Sequence, residues 1–106
     1  MEAEAKKDFI EHLTDNLVML RSRLGLTQAE LSDMIGLSRH TLMAIEKKQR
    51  EMTWCTFLAI VFVFTINEET NIVLDVLGIC NSKLIEMLKA GGYKHERLEI
   101  EQIQEE

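Results

Sequence analysis

The sequence predicts an all-α protein, a compact bundle of about five to six short helices. Three observations carry this reading. The 106 residues contain no proline and only five glycines, so few positions force a break within a segment. Apolar residues recur at spacings of three and four, the period of one helical face. Capping residues stand just before several of these stretches, and glycines just after them.

The first helix is predicted over residues 8–24, where Phe9, Ile10, Leu13, Leu17, Leu20 and Leu24 form one stripe and Gly25 supplies the stop. Thr27 followed by Glu30 is a capping-box pattern that starts a second helix, with Leu31 and Ile35 on one face and Gly36 at its end. Ser38 can cap a third helix whose buried face is Leu42 and Ile45. After the polar "EKKQRE" (46–51), Thr53 begins a fourth helix through "FLAIVFVFTI" (57–66), although Val61, Phe62, Val63, Phe64, Thr65 and Ile66 favour strand on propensity alone. A fifth segment starts at Asn67-Glu68-Glu69, carries Ile72, Val73, Val76, Leu77 and Ile79, and ends near Gly78. A sixth, over residues 82–90, carries Leu84, Ile85 and Leu88, and Gly91-Gly92 stops it. The acidic "YKHERLEIEQIQEE" that follows fits an extra helix, an edge strand or a flexible end, and its apolar residues are Tyr93, Leu98, Ile100 and Ile103.

A chain of this length is expected to form one globular unit, and 46% hydrophobic with 28% charged residues is ordinary for a soluble protein. The run 57–66 is much shorter than the roughly 18–20 residues a membrane span needs. It is too apolar for one small core, so it must be covered on both sides. The segments 68–90 and a second subunit are each expected to cover part of it. The opening "MEAEAKKDFI" has no apolar signal region, so a reducing cytoplasm is the expected location. Cys55 and Cys80 make neither a disulfide framework nor a zinc quartet and are expected to be small buried hydrophobes. His12, His40 and His95 show no metal-ligand spacing, so neither metal nor cofactor is expected.

Charge is distributed unevenly. The whole chain carries a net charge of -6, yet residues 21–50 hold six basic against three acidic residues. Within that window two short helices are joined by a tight turn at Gly36, and the second opens on exposed polar residues, which is the pattern of a helix-turn-helix. Ser32 is small enough for the next helix to cross closely, and Leu37, Leu42 and Ile45 close the core between the two. Arg39 at the front of an exposed helix can bind guanine O6 and N7 in a bidentate manner, worth roughly 1–3 kcal/mol of discrimination. Lys47, Lys48 and Arg50 can neutralise phosphates, each adding about -0.9 to a log-log salt slope.

In "LRSRLGLTQAELSDMIGLSRHTLMAIEKKQR" and the following "MTWCTFLAI", over about residues 8–66, the chain resembles the phage repressor and Cro type of helix-turn-helix regulator, also named for the xenobiotic response element. The resemblance implies a lambda-repressor-like DNA-binding domain over residues 1–66, with residues 67–106 as a C-terminal helical extension and tail that aids dimerisation. It also implies a bacterial or phage origin and a dimer on a two-fold symmetric operator in double-stranded DNA. Carried over by position, Arg39, His40 and Ala44 are the base-contacting residues. Gln28, Ser38, Thr41, Lys47, Lys48 and Arg50 are the phosphate-contacting ones, with Gln28 also bracing the recognition helix. Arg21 and Glu46 match a structural ion pair. Two departures are present: Lys47-Lys48 stand where the family usually has Asn-Gly, and Met52 stands where a proline is common. Losing that glycine leaves a place where a left-handed residue would be strained.

The function expected on these grounds is sequence-specific transcriptional regulation, foremost repression. The alternative is a protein-interaction module, such as an antitoxin whose acidic C-terminal tail occupies a protein partner; a tail ordered only with that partner would favour it. An enzyme is not expected, because no nucleophile–base pair, phosphate loop or metal spacing is visible. The extension is too short for a separate ligand-binding domain, so no small-molecule ligand is expected either.

Overall fold

Side chains accepting a first-turn N–H set where most of the helices begin. The computed structural model describes residues 3–90, and these form α1 (Ala3–Arg23), α2 (Gln28–Ile35), α3 (Arg39–Glu46), α4 (Trp54–Ile66), α5 (Glu68–Asn71) and α6 (Ser82–Leu88), with no strand among the described residues. Thr27, Ser38, Thr53 and Asn81 cap α2, α3, α4 and α6. Each supplies one of the partners that a helix start otherwise lacks. The Thr27–Glu30 capping box is complete.

The long α1 is the spine. Phe9, Ile10, Leu13, Leu17 and Leu20 are buried along one stripe, and Leu24 lies half-buried just beyond the helix end. The helix begins five residues earlier than periodicity predicted, because Ala5 extends the same stripe by one turn and is itself buried. Leu31 of α2, Leu42 and Ile45 of α3, and Phe57, Ile60 and Phe64 of α4 close the core against this stripe.

The β-favouring run of α4 is helical. Phe57, Ile60, Val61 and Phe64 follow helical spacing into the core, so burial on one face outweighs the preference of branched and aromatic residues for strand. Leu74, Ile79 and Leu84 join the same core from the segment that follows. Phe62 and Ile66, four apart on the outer face of α4, remain 64% and 63% exposed. No helix among the described residues is long and apolar enough to cross a membrane.

Three expectations need correction. The fifth helix ends at Asn71, after which residues 72–78 run as consecutive turns. Leu74 and Ile79 point inward while Ile72 and Val76 face out, because the turns abandon the helical period that the apolar spacing implied. The sixth helix ends at Leu88, and of its apolar residues Leu84 is buried whereas Ile85 and Leu88 are about half exposed. Cys55 is exposed in the first turn of α4 and Cys80 only partly covered, since Cys55 lies off the face that Phe57 and Ile60 bury. The Gly91-Gly92 stop, His95, the tail from Tyr93 and any partner surface on it lie outside the described residues.

The turns before α6 are closed by Gly78 at φ 72°, with Gly78 N–H donating to Asp75 O and Ile79 N–H to Leu74 O. A Cβ at Gly78 would sit 3.1 Å from His12 Nδ1, and that nitrogen is hydrogen-bonded to Gly78 O at 3.1 Å. Gly36 has φ 73°, but a Cβ there would meet nothing within 4 Å. Gly36→Ala therefore carries only the left-handed cost of about 1 kcal/mol, whereas Gly78→Ala adds crowding against α1 and costs about 2 kcal/mol. Urea midpoints of the two variants check the difference; equal losses would mean that His12 yields freely.

Candidate nucleic-acid interface

The pair α2 and α3 is held at a close crossing by small side chains. Ser32 is buried and its hydroxyl donates to Ala29 O at 2.9 Å, so it presents no unpaired polar atom to α3. The turn bends at Gly36 through hydrogen bonds from Gly36 N–H to Asp33 O and from Leu37 N–H to Ser32 O. Ser38 then restarts the helix, its Oγ accepting from Thr41 N at 3.1 Å and donating to Thr41 Oγ1 at 2.8 Å. That arrangement spends the Ser38 proton and leaves the Thr41 hydroxyl proton available to an acceptor.

Leu42 and Ile45 face the core, which turns Arg39 and His40 outward and leaves Thr41 and Ala44 half-buried. Eight residues at 1.5 Å each make α3 about 12 Å long, close to the width of the B-DNA major groove. Arg39 borders a groove shared with Arg21, Thr27, Gln28 and Ala29, so the start of α3 and the start of α2 meet in one concave surface. The N–H groups of a helix's first turn favour an anion at that place.

Behind this surface lies a network centred on Glu46. Its side chain, 4% exposed, accepts from Arg21 Nε at 2.9 Å, from Arg21 Nη2 at 3.0 Å and from Gln28 Nε2 at 2.8 Å. Arg21 Nη1 also donates to Leu26 O at 2.9 Å. The bidentate pair fixes the end of α3 to α1, and Gln28 extends it to the start of α2. The Gln28 amide is thus committed in part to bracing.

Past the end of α3, Lys48 N–H donates to Ile45 O and Gln49 N–H to Ala44 O, the same closing pair of bonds that Gly36 and Gly78 make. Lys48 holds this place at φ 61°, the one non-glycine residue with positive φ among those described. The strain expected from losing a glycine here falls on Lys48. Its Nζ lies 2.7 Å from Asp15 of α1. Lys47, Gln49 and Arg50 are exposed beside it. The candidate residues thus form two groups, with Ser38, Arg39, His40 and Thr41 at one end of α3 and Lys47, Lys48 and Arg50 beyond the other, while Gln28 borders the Arg39 groove and reaches Glu46 at the end of α3. Ala44 lies between.

Some of this surface carried no sequence signal. Asp15 stands 33 positions from Lys48, and nothing local links them. Thr27 was legible only as a helix cap and Ala29 not at all, and neither as a wall of the groove with Arg39. Gln49 gave no signal.

Glu30 adds a pH dependence. The Thr27 backbone N–H, then the Thr27 hydroxyl, hold its carboxyl below the ordinary value. A carboxyl lowered in the folded state contributes stability above its unfolded pKa and loses it as pH falls through the folded one. Glu30→Gln should therefore flatten the acid side of the stability–pH curve below the ordinary carboxylate range; melting curves from neutral pH downward check it.

Among the described residues no three His, Cys, Asp or Glu side chains cluster as metal ligands. Compared with protein-family models, curated proteins and solved structures, the chain matches none.

Proposed function

We propose that this protein is a sequence-specific DNA-binding transcriptional regulator that acts as a repressor, entering the major groove with α3. One observation carries the proposal: in a chain of net charge -6, the buried crossing of α2 and α3 turns Arg39 and His40 outward at the front of α3, and Lys47, Lys48 and Arg50 follow its end. In this reading Arg39 and His40 read base edges, Arg39 through guanine O6 and N7, and Ala44 touches a thymine methyl. The first turn of α2, the Thr41 hydroxyl and the basic residues after α3 hold phosphates and set the register. Ser38 acts through the Thr41 hydroxyl it orients, and Gln28 through the Glu46 network.

With only three or four phosphate contacts a single subunit binds weakly, so the protein acts as a homodimer on paired half-sites. Phe62, Ile66, Ile72 and Val76 are left between 63% and 87% exposed, large apolar side chains of the kind a further subunit covers. Repression then follows from occupancy of the operator.

Fluorescence anisotropy on a labelled mixed-sequence duplex, titrated from 50 to 200 mM salt, tests the electrostatic half of the proposal. The expected log-log slope is between about -2 and -3 for each subunit bound, from Lys47 and Arg50 with or without the full charge of Lys48. No binding at 50 mM salt, or a slope near zero, would overturn it.

A further inference from the structure

Lys7, Lys48 and Arg50 share one hollow with Glu11, Asp15 and Glu51. Three cations face three anions there, so the basic strip that follows α3 is balanced by acids of α1 and of the loop before α4. Within the hollow one contact is direct, Lys48 Nζ to Asp15 Oδ1 at 2.7 Å, with both side chains more than half exposed. Among the described residues Arg39, Lys47 and Arg50 make no ion pair, so Lys48 alone of the proposed DNA-facing cations is held by a carboxylate.

We propose that Asp15 is a built-in rival of the DNA backbone for Lys48, lowering affinity and softening its salt dependence. This inference rests on the DNA-binding reading above. An exposed pair contributes little to stability, so holding the fold does not account for it. Both ends of the contact are nevertheless fixed. The Lys48 backbone is locked in the left-handed region by the two hydrogen bonds that close α3, and α1 is anchored by Leu13 and Leu17 on either side of Asp15. A phosphate reaching Lys48 must displace that carboxylate or lie beside it, within the roughly 8–10 Å over which charges act at ordinary salt. Glu11, one turn earlier on the same face of α1, adds to the repulsion.

The test is the same duplex titration with wild type, Asp15→Asn, Asp15→Glu and the double variant Asp15→Asn/Lys48→Ala. Freeing Lys48 should steepen the log-log slope by about 0.9 for each subunit bound. Extrapolated from 1 M salt, that slope corresponds to about fifteenfold tighter binding at 50 mM and about fourfold at 200 mM for each subunit engaged. Asp15→Glu keeps the charge and should track wild type, and the double variant should lose the gain. A purely structural role for Asp15 would leave the salt slope unchanged. If wild type binds and Asp15→Asn shows the same slope and affinity, the inference is overturned while the DNA-binding reading stands. If wild type binds no duplex at 50 mM salt, both fall.

Discussion

Glu46→Ala lowers the stability of the fold by about 3 kcal/mol, the lower end of the cost of removing one partner from a buried ion pair. Glu46 is the common acceptor for Arg21 and Gln28, and without it the Arg21 guanidinium loses two of its three hydrogen bonds. The loss stays near the lower end because the Arg21 side chain keeps 15% exposure and its bond to Leu26 O, so water can take over part of the solvation. Glu46→Gln retains an acceptor oxygen and should lose about half as much, since a charged hydrogen bond is worth roughly twice a neutral one. Denaturant midpoints with an unchanged m-value give both numbers. A loss below 1 kcal/mol for Glu46→Ala would mean that the network does not brace α3 against α1 and α2.

The largest single loss is expected at Phe57. Its side chain is fully buried, stacked on Trp54 with centroids 4.7 Å apart and tilted 6.2 Å from Phe9. Phe57→Ala removes the ring, leaves a cavity between α1 and α4, and should cost about 4 kcal/mol. In a domain whose total stability is of the order of 5–15 kcal/mol, that is enough to leave an appreciable unfolded fraction. The matched control lies five residues along the same helix. Phe62 is 64% exposed, so Phe62→Ala should change monomer stability by less than about 0.5 kcal/mol. Comparable losses at the two positions would contradict the assignment of the core face of α4.

These two predictions differ in how far the sequence foretold them. The stripe of α1 and the caps at Thr27, Ser38 and Thr53 are local features, decided within three or four residues, so they were legible. The left-handed place after α3 was foretold only through the resemblance, whose usual glycine stands where this chain has Lys48. The inward face of α4 was not, because a segment apolar all round has no polar stripe to mark its outside; only packing against α1 separates Phe57 from Phe62. Residues 72–78 misled for a related reason. Their apolar spacing allowed a helix, but Ile72 and Val76 belong to consecutive turns and face out, Val73 and Leu77 are half-buried, and the unheralded Leu74 is the most deeply buried of the stretch.

The candidate site divides along the same line. Arg39 and His40 owe their exposure to Leu42 and Ile45 facing the core on the same short helix, an order visible in the sequence. The Arg21 and Glu46 pair and the bracing by Gln28 were expected only through resemblance; that Gln28 braces α3 by way of Glu46 depends on a distance between helix ends that no spacing rule supplies. Asp15 beside Lys48 is of the same kind, a contact between α1 and the loop after α3 that only the assembled fold creates.

Selection of binding sites from a random duplex library, run in parallel for wild type and Arg39→Ala, tests the central claim most directly. Wild type is expected to enrich a two-fold symmetric site, and Arg39→Ala to lose preference at one base pair in each half-site, by about 1–3 kcal/mol of discrimination. Enrichment of the same site with the same preferences by both proteins would contradict the role given to Arg39, and no enrichment by wild type at low salt would contradict sequence-specific DNA binding itself.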